Sequence, residues 1–153
     1  MQFIDSNLEN VLSYLDKLSP GAHPKWGNMS AQQMVEHLTH TIEIAMEKHR
    51  YESLVKAEDY EKMRQFILSD KPLPRNFDVN FMAKDTPIIH EEIELAIDAY
   101  CDAWIDLEIW FDEQPGKETM HPNFGPLNFD LWVKIHEKHL THHFTQFGLI
   151  KES

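Results

Sequence analysis

The hydrophobic and polar positions of this chain repeat mainly with the period of an α-helix, and strand-like alternation is almost absent. The first amphipathic stretch is "SNLENVLSYLDKLSPG", in which Ser6 and Glu9 have the spacing of a capping box. The second is "MSAQQMVEHLTHTIEIAMEKHR", where Ser30 and Gln33 repeat that spacing. The pattern therefore predicts two helices in the N-terminal third of the chain.

The C-terminal half predicts two longer helices. One begins at Pro87 and continues for about 27 residues, or about 40 Å. Its apolar face carries Ile89, Ile93, Ala96, Ile97, Tyr100, Trp104, Leu107 and Phe111. Its acidic face carries Glu91, Glu94, Asp98, Asp102 and Asp106. The last helix is predicted from about Asn128 to Phe147, with Gly148 in the position of a helix-ending glycine.

Residues 51–86 connect the second and third of these four helices and are less regular. "EDYEKMRQFILSD" has the pattern of a short helix, whereas "KPLPRNFDVNFMAKDTP" is proline-rich and predicts a long loop. A loop of that length is often functional or packed over a site. Four helices with a long connection between the second and third predict an all-α four-helix bundle, with residues 1–153 as a single domain.

Composition limits the partners of such a domain. The 153 residues include 14 Lys and Arg against 26 Asp and Glu, which gives a formal net charge of −12 without a basic cluster. Nucleic acid and anionic membranes are therefore not expected as partners. The single cysteine, Cys101, forms no intrachain disulfide, and we find no signal peptide and no membrane-spanning apolar run. The expectation is a cytoplasmic protein.

Four of the ten histidines fall within "WVKIHEKHLTHHFTQFG". A helical wheel places His139 and His143 in the middle of the apolar arc, one turn apart. It places His136 close to this pair and His142 at the edge of the arc, and we expect both to be surface or rim residues. The opposite, solvent-facing side is predicted to carry Lys134, Glu137, Lys138, Thr141 and Thr145.

Two imidazoles one turn apart on a buried face can bind one metal ion, as His-x3-His pairs do in zinc sites. On the second helix, His37 lies at the margin of the apolar face, whereas His40 lies on the polar side with Glu36 and Glu43. The pattern thus predicts a three-histidine metal site, His37, His139 and His143, with one coordination position left open. Catalytic zinc sites keep such a position.

Other interpretations of these residues stay open. The two histidines of the last helix can be core residues that hydrogen-bond to Gln146, to a backbone carbonyl or to each other. Gln146 can equally orient a metal ligand. Four further residues either line the mouth of a pocket or have a packing role: Trp26, His121, Asn123 and Phe124. The residues assign no catalytic group and no organic-cofactor site.

With "QMVEHL", a long amphipathic helix, "HPNFGPL" and "KHLTHHFTQF" in this order, residues 24–150 resemble the DinB/YfiT-like superfamily of metal-binding four-helix bundles. The "HPNFGPL…HLTHHFTQFG" ending is most similar to an uncharacterised bacterial branch. The resemblance implies a divalent metal, zinc or nickel, bound by His37, His139 and His143. It also implies a homodimer. One departure is that Phe144 and Thr145 stand between the last histidine and Gln146, where many members have Arg-Gly.

Characterised members include thiol-dependent transferases and isomerases, some of which use mycothiol or bacillithiol. The resemblance therefore implies a metal-dependent enzyme, a thiol-dependent transferase or a hydrolase, acting on an unknown small molecule. A low-molecular-weight thiol would be the cosubstrate of a transferase. The alternative is a metal-stabilised binding or structural protein without turnover. The sequence leaves open both the substrate and the roles of His121, His136, His142 and Gln146.

Overall fold

The computed structural model describes residues 2–77 and 86–152, which form a mostly helical structure with one small antiparallel sheet. Its helices are α1 (Leu8–Leu15), α2 (Ala31–Ala45), α3 (Tyr60–Leu68), α4 (Ile93–Asp112) and α5 (Phe129–Gln146). A 3₁₀ turn, Ala57–Asp59, precedes α3, and the strands are β1 (Thr119–His121) and β2 (Gly125–Leu127). The short helix expected in the connector is confirmed as α3, whereas part of the predicted long loop, residues 78–85, lies outside the described residues.

The helix α2 begins as the sequence predicts. The Ser30 side chain accepts the Gln33 N–H, and the Gln33 side chain accepts the Ser30 N–H, so the capping box is complete. The apolar face of α2 packs mainly against α4, and α3 packs against α5. Three residues of α2, Met34, Val35 and Leu38, are fully buried in the hydrophobic core. Within the described part of the chain, no helix combines the length and the apolar character required to cross a bilayer.

A β-hairpin precedes α5 in a segment for which the sequence predicted no strand. Its strands pair with Thr119 opposite Leu127 and His121 opposite Gly125. The Thr119 hydroxyl accepts the Trp132 indole N–H (2.8 Å) and donates to the Ala45 carbonyl (2.7 Å). These two bonds tie the hairpin to α5 and to the end of α2. Strands of three residues are too short for their alternation to be recognised in the sequence.

Gly125 is required at the start of β2 for two reasons. Its φ of 84° lies in the left-handed region that side chains disfavour. A Cβ atom at this position would also lie 2.5 Å from the Tyr60 ring of α3. The hairpin can therefore pack against α3 only with glycine at this position.

The predicted start of the first helix is wrong. The helix is capped by Asn7, whose side chain accepts the Asn10 N–H (2.8 Å), rather than by a Ser6–Glu9 capping box. Ser6 is instead buried, and its backbone N–H donates to Glu137 Oε2 on α5 (2.9 Å). Ser6, which the sequence indicated as a helix cap, therefore connects the N-terminal segment to α5.

The third predicted helix starts later than expected, because α4 begins at Ile93 and not at Pro87. The preceding backbone is bound by Glu36 of α2, which accepts the N–H groups of Ile89 (2.8 Å) and His90 (2.9 Å). Glu36, expected on a polar face, is consequently buried, and Ile89, expected in the core, is 78% exposed. Burial alone would raise the pKa of Glu36, but the His90 and Ile89 hydrogen bonds outweigh it and lower the pKa.

The predicted solvent-facing side of α5 is largely covered. Lys138 is only 1% exposed, and its ammonium group donates to the carbonyls of Ser69 (2.8 Å) and Lys71. Thr141 is buried as well, and its hydroxyl accepts the backbone N–H of Ile4 (3.0 Å). The N-terminal segment and the segment after α3 therefore cover both sides of the histidine-bearing helix.

Candidate metal centre

Three imidazoles from two helices converge inside the protein. His37 comes from α2, and His139 and His143 come from α5. The Nε2 atom of His139 lies 3.1 Å from Nε2 of His37 and 3.0 Å from Nε2 of His143. All three side chains are at most 4% exposed. The structure thus brings together the three residues that the helical wheels selected, and we call them the inner triad.

Helix geometry explains this convergence. His139 and His143 are four residues apart, so their side chains leave the same face of α5 one turn apart. Leu140 and Phe144, both fully buried, keep that face in the core. His37 stands beside Leu38 on the buried face of α2 and therefore points toward α5.

Gln146 sets the tautomer of His143. Its amide nitrogen donates to the Trp26 carbonyl (2.9 Å), so its oxygen faces His143 Nδ1 at 2.6 Å. An amide oxygen only accepts, so Nδ1 of a neutral His143 carries the proton and Nε2 presents a lone pair to His139. Gly27, with φ of 79°, allows this approach, because a Cβ there would lie 3.1 Å from the Gln146 amide nitrogen.

These contacts fit a cation better than they fit hydrogen bonds alone. With the lone pair of His143 directed at His139, the hydrogen bond between them needs a proton on His139 Nε2. That single proton can form a well-aligned hydrogen bond to only one of the two neighbouring nitrogens, that of His143 or that of His37. A metal ion would accept the lone pairs of all three nitrogens, which would lie roughly 3.3 Å apart in a tetrahedral zinc site. The observed separations of 3.0 and 3.1 Å are close to that value.

A small cavity of about 20 Å³ lies beside His139, with room for about one water molecule. Its wall includes Thr41 of α2, His121 of the hairpin and the Phe77 ring, which lies 5.9 Å from the His139 ring. Phe77 also lines a larger outer groove of about 590 Å³. The Phe77 side chain is therefore a wall shared by the inner cavity and the outer groove.

His136 is not the surface or rim residue that we expected from the sequence. It is buried, its Nε2 lies 2.7 Å from the Tyr100 hydroxyl, and Trp104 stacks on its ring at 4.9 Å. Burial first, and then the neighbouring His139, lower the pKa of His136 to about 3. Burial also raises the pKa of Tyr100, so the hydroxyl keeps its proton and donates it to a neutral His136.

His142 is also buried rather than exposed. Its ring packs edge-on against Trp26 (5.6 Å) and against His143 (4.8 Å). Trp26 thus covers this end of α5 and also supplies the carbonyl that holds Gln146. The helical wheel of α5 could not predict the burial of His142, because the covering Trp26 ring comes from the loop before α2.

The residues of the "HPNFG" turn occupy two different places. His121 lines the cavity beside His139, and its Nδ1 accepts the Asn123 N–H (3.0 Å). Asn123 and Phe124 line the outer groove, where Phe124 packs against Phe77 (5.6 Å). The prediction that these residues border a pocket agrees with their positions.

Comparison of the chain with protein-family models, with curated proteins and with solved structures found no significant match.

Proposed function

We propose that this chain is a divalent-metal-binding protein of DinB/YfiT type, with zinc or nickel held by His37, His139 and His143. One observation carries the proposal: the buried Nε2 atoms of His37, on α2, and of His143, on α5, both lie within hydrogen-bond distance of the buried Nε2 atom of His139. The orientation of His143 by Gln146 supports it, because metal-binding histidines commonly donate their second ring N–H to such an acceptor.

We further propose a metal-dependent enzyme, a thiol-dependent transferase or a hydrolase, with a low-molecular-weight thiol as the cosubstrate of a transferase. A divalent ion would supply Lewis acidity at the inner triad and lower the pKa of a water or thiol there. The protein's own residues would do the rest. Gln146 holds one ligand in its binding tautomer, and the Phe77 ring keeps bulk water from the inner cavity.

The position of Phe77 supports the enzyme interpretation. Since this ring lines both the inner cavity and the outer groove, its rotation would join the two spaces and admit a substrate to the triad. The outer groove, with Phe66, Phe124 and Asn123 in its wall, suits a small molecule that is apolar with one polar end.

The second candidate is a metal-stabilised protein without turnover, and the size of the inner cavity favours it. About 20 Å³ holds one water molecule but no substrate. In this interpretation the ion would link α2 to α5 and add its binding free energy to the stability of the fold.

The bundle architecture and the homodimer belong to the same proposal. We propose that α1, α2, α4 and α5 correspond to the four helices of the DinB-type bundle, with α3 in the long connection. The dimer rests on the family resemblance, and three exposed aliphatic residues of α4 are available for such a contact: Leu95, Ile105 and Ile109.

Cobalt substitution distinguishes the two candidates. The metal-free protein would be loaded with one equivalent of Co²⁺ and titrated with 2-mercaptoethanol. An accessible coordination position should produce a new near-ultraviolet thiolate-to-cobalt band, and the His37→Ala variant should lack it. A cobalt spectrum that the thiol leaves unchanged would favour the structural candidate and contradict the enzyme.

A further inference from the structure

A second set of metal-ligating side chains lies outside the inner triad. His40, Glu43 and His49 each offer a ligand atom, and these atoms lie within 4.8 Å of one another. All three side chains are partly exposed. We call them the outer cluster. His40 is one turn from His37 of the inner triad, on the same helix.

The backbone after α2 is folded so that it brings His49 back to the helix. Glu47 adopts φ of 61°, in the left-handed region that non-glycine residues disfavour. The next residue, Lys48, donates its N–H to the Glu43 carbonyl (3.0 Å). His49 consequently lies beside the last turns of α2, with its ring stacked on His40 at 4.2 Å and its Nε2 3.0 Å from Glu43 Oε1.

The surroundings of the outer cluster favour a cation. The cluster lies in a groove of about 360 Å³ between α2 and α4, which is not the outer groove that Phe77 lines. Carboxylates from both helices line this groove: Glu36, Asp102 and Asp106 in addition to Glu43. Their combined negative potential would concentrate divalent cations there. Asp102 and Asp106, from the acidic face of α4, therefore border three imidazoles, since His90 lines the groove too.

Two imidazoles and one carboxylate form a ligand set suited to divalent transition metals, with open positions for water. Magnesium and calcium, which prefer oxygen ligands, fit this set poorly.

We propose that His40, Glu43 and His49 form a second, solvent-facing site for a divalent transition-metal ion such as Zn²⁺, Ni²⁺ or Cu²⁺. Binding there replaces contacts that the side chains already make, namely the hydrogen bond between Glu43 and His49 and the hydrogen bond between His40 Nε2 and the Tyr51 hydroxyl (2.6 Å). The outer site is therefore weaker than the inner triad and exchanges its ion with solvent.

Equilibrium dialysis of the metal-free, full-length protein against Zn²⁺ tests this proposal. The wild type should bind two equivalents of different affinity. The double variant His40→Gln/His49→Gln should lose the weaker equivalent and keep the tighter one, whereas His139→Ala should do the reverse. Glu43→Gln, which keeps the shape of the side chain, should weaken the outer site by about tenfold or more.

His23→Gln is the matched control, because His23 is an exposed histidine that belongs to neither site. It should bind two equivalents like the wild type, and circular dichroism should show the same helix content for every variant. The proposal is overturned if wild-type protein lacks the weaker equivalent, or if the double variant still binds two. Wild-type protein that binds only the weaker equivalent, and loses it in the double variant, would contradict the inner triad and leave the outer site supported.

Discussion

The inner triad and the outer cluster each take one ligand from neighbouring turns of α2, His37 and His40, yet they differ in how their ligand atoms are held. The inner imidazoles are buried, and Gln146 fixes the tautomer of one of them. The outer side chains face a wet groove, and His49 is paired with Glu43. In the proposed metal sites, similar ligand types would therefore give one site organised before the metal binds and one that must exchange its contacts. Burial and the partners of the ligands, more than ligand identity, set the expected difference in affinity.

The largest expected effect of this difference is on thermal stability. Zinc at a thousandfold excess over its dissociation constant stabilises a folded protein by about 4 kcal/mol. For a chain of this size the melting temperature should rise by on the order of 10 °C. Differential scanning calorimetry should show this rise in the wild type and in His49→Gln. His143→Ala should lose most of it, and a full rise in that variant would remove the distinction between the two sites.

The buried histidine next to the triad should make stability depend on pH. Because the folded pKa of His136 is about 3, below its unfolded value near 6.5, the unfolded chain binds the proton first as pH falls. The contribution of His136 to the free energy of unfolding is fully present above pH 6.5 and decreases toward pH 3, by up to about 1.4 kcal/mol per pH unit.

Urea unfolding of the metal-free protein between pH 7 and pH 4 measures this dependence. His136→Gln removes the ionisable group, so the unfolding free energy of the variant should fall less steeply over that window. Equal slopes for the two proteins would show that His136 is protonated as readily when folded as when unfolded.

Removal of the Gln146 acceptor should weaken the inner site without destroying it. Gln146→Leu leaves the Nδ1–H of His143 without its acceptor, and metal affinity should fall about 10–100-fold. Gln146→Glu keeps an acceptor oxygen and should retain most of the affinity. Competition with a chromophoric zinc chelator measures both variants. Wild-type affinity in Gln146→Leu would mean that Gln146 does not orient the ligand.

Tyr100→Phe should have the smallest effect and should change stability only. It removes the hydroxyl that hydrogen-bonds to His136 Nε2. A buried polar atom without a hydrogen-bond partner lowers the free energy of unfolding by about 1–3 kcal/mol. Chemical denaturation should show this loss, and metal analysis should show an unchanged zinc content. A reduced zinc content would instead make Tyr100 part of the support of the triad.

Helical periodicity was enough to locate α2 and α5 and to select His37, His139 and His143, because these side chains lie on faces that the flanking apolar residues define. The expected surface or rim position of His136 and the expected solvent-facing position of Lys138 were wrong, for one physical reason. The periodicity of one helix does not show which other segments cover it: α4 places Tyr100 and Trp104 against His136, and the carbonyl of Ser69 accepts a hydrogen bond from Lys138.

The outer cluster and the late start of α4 were missed because both depend on contacts between distant parts of the chain. Glu36 binds the backbone at residues 89–90, which is more than 50 positions away in sequence, and so replaces the first turns of the predicted helix. His49 reaches His40 only because Glu47 takes a left-handed conformation, which nothing in its residue type indicates.

Metal analysis of purified protein after exhaustive dialysis is the most direct test of the central claim. Dialysis removes weakly bound ions, so wild-type protein should retain close to one equivalent of zinc or nickel and His139→Ala should retain almost none. His40→Gln/His49→Gln should match the wild type. A stoichiometric metal content in His139→Ala would contradict the assignment of the inner triad as the metal site.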